Sequence, residues 1–312
     1  MWQGSLKNDP FFQAIGIPLH IGVIIFVLLS GFFTIKATSK GLIKLLGIFL
    51  VYDISEIIYN VIHANNIRTL FQHLAFLSDT HFWFIKTYLF LYLVSPMVNL
   101  WLNKASAKQR WYMTIVFGFV AQYMAITGGD KNMEDGKNLV NFIFLYLVGN
   151  QLRYYQVPIR KLSQRLLVLC YITLNVILFA IAYIYREREG EIFKFVFQFS
   201  FPYSSPLLLL NAILLFLIIG KVKLHSKYIN WLASSSLAIY LIHANRPYLP
   251  IIHEKNALLI QSIFSHNITI FLCYILYTFL IICICIVIDK LFTPIWIKIN
   301  NFGNKVYMKI GY

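Results

Sequence analysis

The stretch Ile268–Ile288, ITIFLCYILYTFLIICICIVI, contains no charged residue, no proline and no glycine. At 1.5 Å of rise per residue, a helix of this length crosses a hydrocarbon core about 30 Å thick. Backbone groups in lipid must bond within the protein, and the run lacks the period-two alternation of a barrel strand, so it reads as a spanning helix.

Eight further apolar runs lie upstream: Ile15–Ile35, Leu42–Ile62, Phe82–Leu102, Trp111–Ile126, Leu139–Leu152, Leu166–Ile184, Tyr203–Ile219 and Ile229–His243. Composition agrees with them. The 312-residue chain is 59% hydrophobic and only 12% charged, against about 25% charged residues in soluble domains, and its mean hydropathy is +0.68. At about 20 residues per span the chain holds at most about ten spans, with no room for a separate soluble domain. The expected fold is an all-α polytopic transmembrane bundle of about nine spanning helices, with residues 1–312 as a single integral-membrane domain. No cleavable leader is expected, because the first apolar run continues for a full membrane width. The four cysteines, Cys170, Cys273, Cys283 and Cys285, sit inside apolar runs and read as small buried or lipid-facing residues. No metal site is expected.

The net charge of +15 has an address. Seventeen Lys and Arg fall in one set of alternate connections with a single acid, Asp289; nine fall in the other set, balanced by nine acids. Cytoplasmic loops are enriched in Lys and Arg, so the first set faces the cytoplasm, where it also attracts anionic inner-leaflet lipids. The C-terminus is then cytoplasmic and, with nine spans, the N-terminus is outside. Five scattered connections do not form the basic stripe of a nucleic-acid binder.

Ionisable residues inside spans cost about 2.5–3.5 kcal/mol on insertion scales and need a partner or a task. Glu56 and Lys86 lie at similar depth on consecutive antiparallel helices, which predicts an ion pair, with Asp53 one turn deeper lining the same cavity. Seven of the eight histidines, including His20 and His243, fall at outer helix ends or in outer connections. Imidazole in that position suits proton removal from a hydroxyl arriving on the outer half. Phosphate loops, nucleophile elbows, HExxH and CxxC are absent from the sequence. A transporter or flippase of a polysaccharide precursor, using Asp53, Glu56 and Lys86 as a polar pathway, is the alternative function on these residues.

Four tracts resemble one family of integral-membrane enzymes. Ile17-Pro18-Leu19-His20-Ile21-Gly22-Val23 runs into Leu29-Ser30-Gly31-Phe32-Phe33. His81-Phe82-Trp83-Phe84-Ile85 continues through Leu91-Tyr92-Leu93-Val94-Ser95-Pro96. Phe144-Leu145-Tyr146-Leu147-Val148-Gly149 precedes Leu152-Arg153, and the last tract is Trp231-Leu232-Ala233-Ser234-Ser235-Ser236-Leu237-Ala238-Ile239-Tyr240-Leu241-Ile242-His243. In order and spacing they resemble the acyltransferase type 3 family, in particular its bacterial branch that O-acetylates surface polysaccharides.

The resemblance implies an O-acyltransferase of the bacterial inner (plasma) membrane. Acetyl-CoA would enter from the cytoplasm as acyl donor, with no permanently bound cofactor, and the acceptor would be a sugar hydroxyl of a surface polysaccharide or its lipid-linked precursor. Membrane lipids are the remaining partner and nucleic acid is not one. Ser30, Gly31 and Phe32 would let the pantetheine arm approach the backbone, while Arg153, Arg160 and Lys161 would hold phosphates. Trp83, Tyr92, Glu56 and Lys86 would wall the acceptor pocket, and His243, or more remotely His20, would supply a base. The family's first helix, with its Arg and the His regarded as catalytic, has no counterpart here. The resemblance therefore implies an inactive form, a truncated one, or one that takes its base from elsewhere.

Overall fold

A computed structural model describes residues 21–63, 82–127, 135–185, 190–222, 226–243, 260, 262–263 and 267–310. Their regular structure is helical, with no strand among the described residues. Helices α1 (Gly22–Phe33), α2 (Ser39–His63), α3 (Trp83–Lys104), α4 (Ala107–Thr127), α5 (Leu139–Tyr154), α7 (Gln164–Tyr185), α9 (Pro206–Gly220) and α12 (Asn267–Leu291) correspond to eight of the nine apolar runs. Of these, α3, α7 and α12 contain stretches long and apolar enough to cross a membrane, whereas α1 and α9 are apolar but shorter.

The eighth run departs from expectation. It is broken into α10 (Lys227–Ala233) and α11 (Ser236–His243), with Ser234 and Ser235 in the turn between them. The Ser234 hydroxyl donates to the Trp231 carbonyl at 2.7 Å and that of Ser235 donates to Asp289 at 2.6 Å. The Ser234 bond takes a backbone carbonyl, and small hydroxylated residues compete with the helical ladder in this way. The remaining helices are the single-turn α6 (Gln156–Arg160), α8 (Glu191–Ser200), and α13 (Thr293–Ile310), an amphipathic helix that no apolar run announced.

The described residues divide into two compact units that interleave along the sequence, one drawn from Ala37–Lys86 and His225–Tyr312, the other from Ser5–Lys36 and Thr87–Leu224. In the second, α1 lies along α5, α5 packs on α4, and α7 packs on α9. The α1–α5 seam is built on two glycines. A Cβ at Gly31 would meet the Tyr146 carbonyl oxygen, and one at Gly149 would meet the Leu28 carbonyl oxygen and the Phe32 nitrogen. Without a Cβ on either residue the backbones meet directly, as small residues allow between membrane helices. Around the seam Val27, Leu28, Phe142, Leu145 and Tyr146 are fully buried.

Between α7 and α9, Asn175 and Asn211 exchange two amide hydrogen bonds of 3.0 and 3.1 Å, and Asn211 has no exposed surface. Neither amide is left unsatisfied in its apolar setting, because each supplies what the other lacks. Asn211→Leu is expected to lower stability by about 1–2 kcal/mol, since it strands the Asn175 side chain. A thermal unfolding midpoint measured in detergent, unchanged in that variant, would contradict the pairing.

In the first unit, α13 runs antiparallel to α2: Trp296 stacks near Tyr52, Ile299 fills the space beside Gly47, and Gly303 lies against Lys40. Phe49, Tyr52, Phe82, Ile85, Ala238 and Leu241 form the core that holds α2, the start of α3 and α11 together.

Candidate active site

In the first unit, α11 delivers His243. Its Nδ1–H donates to the Ile239 carbonyl at 2.6 Å, one turn back. Donation to a carbonyl requires the proton on Nδ1, so in the neutral ring the basic lone pair is on Nε2. The imidazole lies edge-on to Tyr240 with centroids 6.1 Å apart, Tyr240 contacts Phe84 at 5.3 Å, and Phe84 contacts Trp83 at 6.1 Å. Trp83 and His243, which come from separate tracts of the sequence, are thus joined by a continuous series of ring contacts. Lys86 is half-buried in the same first turn of α3, and Asp53 is buried on α2. His20 lies outside the described residues, as does the Glu56 side chain, and with it the expected Glu56–Lys86 ion pair.

Beneath α11 is a buried carboxylate. Asp289, near the end of α12, accepts hydrogen bonds from the Tyr52 hydroxyl at 2.9 Å, the Ser235 hydroxyl at 2.6 Å and the Trp296 indole N–H at 3.1 Å. Lys290 completes the junction: its ammonium lies 3.9 Å from the Asp289 carboxylate, donates to Ser234 at 2.7 Å and sits 4.8 Å from the centre of the Trp231 ring. One side chain therefore ties α2, the α10–α11 turn, α12 and α13, and so sets the position from which His243 projects. In the sequence Asp289 stands out only as the single acid on the basic side. The hydroxyls of Ser234 and Ser235, in the tract that suggested the family, are its signal in retrospect.

The other candidates belong to the second unit. Ser30 donates to the Phe26 carbonyl at 2.9 Å and its oxygen lies 3.2 Å from the Tyr88 hydroxyl. Gly31 needs correction: the close approach made possible by its missing side chain is occupied by Tyr146 of α5, so the space is filled by protein and not open to a donor arm. Phe32 is half-buried, 5.3 Å from the Phe216 ring. Tyr92 is half-buried on α3 and lies four residues before Pro96, which has no N–H to offer the Tyr92 carbonyl. The Ser95 hydroxyl takes that carbonyl instead, at 2.8 Å.

Arg153 is exposed and reaches the end of α1, donating to the Phe32 carbonyl at 3.4 Å and to the Thr34 hydroxyl at 3.2 Å. A cation there complements the helix C-terminus. Thr34 has a φ of 59°, unfavourable for a β-branched residue. The chain just beyond is held by a closed set of bonds: the Tyr146 hydroxyl accepts from the Ile35 N–H at 3.0 Å and donates to Asn99 at 2.7 Å, and Asn99 donates to the Ile35 carbonyl at 2.9 Å. Lys161 is exposed just past α6, and Arg160 is the last residue of α6, its side chain outside the described set.

Compared with known protein families, residues 2–289 match the family described as an acyltransferase domain. The chain belongs to the acyltransferase type 3 family. The match spans both compact units and ends at Asp289, so it covers every candidate residue above, while α13 lies beyond it. No curated protein and no solved structure matches the chain. Membership makes the protein a membrane acyltransferase, consistent with its apolar helices.

Proposed function

We propose that this acyltransferase moves an acetyl group from acetyl-CoA to a sugar hydroxyl of a cell-surface polysaccharide or its lipid-linked precursor, at the inner membrane. The family match over residues 2–289 carries the acyltransfer reading. The asymmetry of basic connections supports a donor that arrives from the cytoplasm, and the outer bias of the histidines supports an acceptor on the other side.

In this reading the acceptor oxygen attacks the thioester carbonyl, the C–S bond breaks, and coenzyme A leaves as its thiol. The proton lost by the hydroxyl passes through a base to the departing sulfur, so the exchange is balanced without any oxidant or metal. His243 suits the role of base, because its Nδ1–H is engaged by Ile239 and Nε2 is the basic nitrogen. Trp83, joined to it through Phe84 and Tyr240, supplies an apolar wall of the kind on which sugar rings stack. Exposed Arg153 and Lys161 are suited to phosphate oxygens of the donor.

Membranes containing the protein, supplied with acetyl-CoA radiolabelled in the acetyl group, are expected to label a glycan fraction. His243→Ala is expected to reduce that labelling by about 100-fold or more, within the usual range for a general base. Trp83→Ala should weaken it chiefly by raising the acceptor concentration needed. Full labelling in both variants would remove these residues from the site. Glycan counterflow into proteoliposomes without acetyl-CoA would favour transport instead.

A further inference from the structure

Helix α13 lies outside the family match, and none of the acyltransfer chemistry uses it. Its three faces are chemically distinct. One face packs on α2 through Trp296, Ile299 and Gly303. On the opposite side Lys298, Lys305 and Lys309 are exposed, separated by two turns and then one, so they form a single stripe along the axis about 17 Å long. The helix carries no acidic residue to neutralise it. Exposed apolar side chains flank the stripe on both sides: Ile297 and Met308 on one, Ile295 and Phe302 on the other.

From this arrangement we infer that α13 is a docking surface for anionic phospholipid headgroups of the cytoplasmic leaflet. Charge complementarity selects an anionic partner, and the apolar shoulders select a lipid. Met308 is 73% exposed and Phe302 60%, and a surface with acyl chains beside its phosphates removes such side chains from water while leaving the ammonium groups among charges. A soluble acidic protein or a free nucleotide would engage the lysines and leave the shoulders wet. The excess of Lys and Arg in the same set of connections places the stripe on the side where anionic lipid is met.

The test uses the detergent-purified full chain, titrated with phosphatidylglycerol or phosphatidylcholine in mixed micelles, with bound lipid counted by native mass spectrometry and the unfolding midpoint followed in parallel. Phosphatidylglycerol is expected to bind and to raise the midpoint, less so as salt is added. Phosphatidylcholine is expected to do neither. Combining Lys298→Gln, Lys305→Gln and Lys309→Gln should weaken phosphatidylglycerol binding by about a hundredfold. A charge-matched combination elsewhere, Lys104→Gln, Lys108→Gln and Lys227→Gln, should retain it. Equal binding of both lipids by the natural chain, or undiminished phosphatidylglycerol binding by the stripe variant, overturns the inference. A stripe variant that loses coenzyme A binding while keeping phosphatidylglycerol would reassign the lysines to the donor. The salt dependence of the unmutated chain gives a readout that survives any folding defect in the variants, and none of these measurements depends on acyl transfer.

Discussion

Gly31→Ala and Gly149→Ala are each expected to destabilise the protein by at least about 3 kcal/mol, at or beyond the upper end of ordinary overpacking. Alanine is the better helix former by about 0.5–1 kcal/mol, so on propensity alone both changes should help. Steric fit decides the sign. The added methyl at Gly31 would meet the Tyr146 carbonyl, and at Gly149 the Leu28 carbonyl. Neither neighbour is the flexible end of a side chain, so relief requires α1 and α5 to move apart along a seam where Leu28, Phe142, Leu145 and Tyr146 are fully buried. The unfolding midpoint in detergent should fall in each single variant, and by less than the sum in the double, because one separation relieves both clashes. Gly22→Ala is the control: nothing lies within 4 Å of a Cβ there, and that variant should be neutral or slightly more stable. A normal midpoint for Gly31→Ala would show that the two backbones do not meet as described.

Asp289→Ala should be comparably damaging, by about 3–5 kcal/mol, the range seen when one member of a buried charged cluster is removed. Asp289 is buried, with 8% of the residue exposed, and its carboxylate accepts from Tyr52, Ser235 and Trp296. Its loss leaves those donors without the acceptor around which they are arranged. Tyr52→Phe and Ser235→Ala each remove one bond to a charged acceptor and should cost about 1.5–3 kcal/mol. Because the junction fixes the turn from which α11 starts, Asp289→Ala should also lower acyl transfer, even in protein that remains folded. A midpoint for Asp289→Ala no lower than that of Tyr52→Phe would mean that the carboxylate is not the centre of the cluster.

Apolar run length made most helices legible: seven of the nine runs became single helices with both ends close to those expected, because an uninterrupted apolar run has few other ways to satisfy its backbone, and the start of the first run, Ile15–Ile35, lies outside the described residues. The same criterion failed at Ile229–His243. Its apolar content cannot show the turn at Ser234 and Ser235, since the partners of those hydroxyls include Asp289, which accepts from Ser235, and Lys290, which donates to Ser234, both more than fifty residues later. Helix α13 escaped for the opposite reason. Its Lys and Asn residues dilute the run, and its signal lay in the helical spacing of Trp296, Ile299 and Gly303. At the site, the tracts carrying Trp83 and His243 were read from resemblance, and their connection through Phe84 and Tyr240 appeared only in three dimensions. Gly31 illustrates a narrower limit. A glycine amid bulky residues announces that something comes close, but Tyr146 and a pantetheine arm leave the same mark on a sequence.

The family match stops at Asp289, yet the indole of Trp296, seven residues later, bonds to that carboxylate. The limit of family likeness is therefore not a limit of the folded body. Evolutionary kinship and mechanical integrity end at different places in this chain, and cutting at the former would sever a joint of the latter.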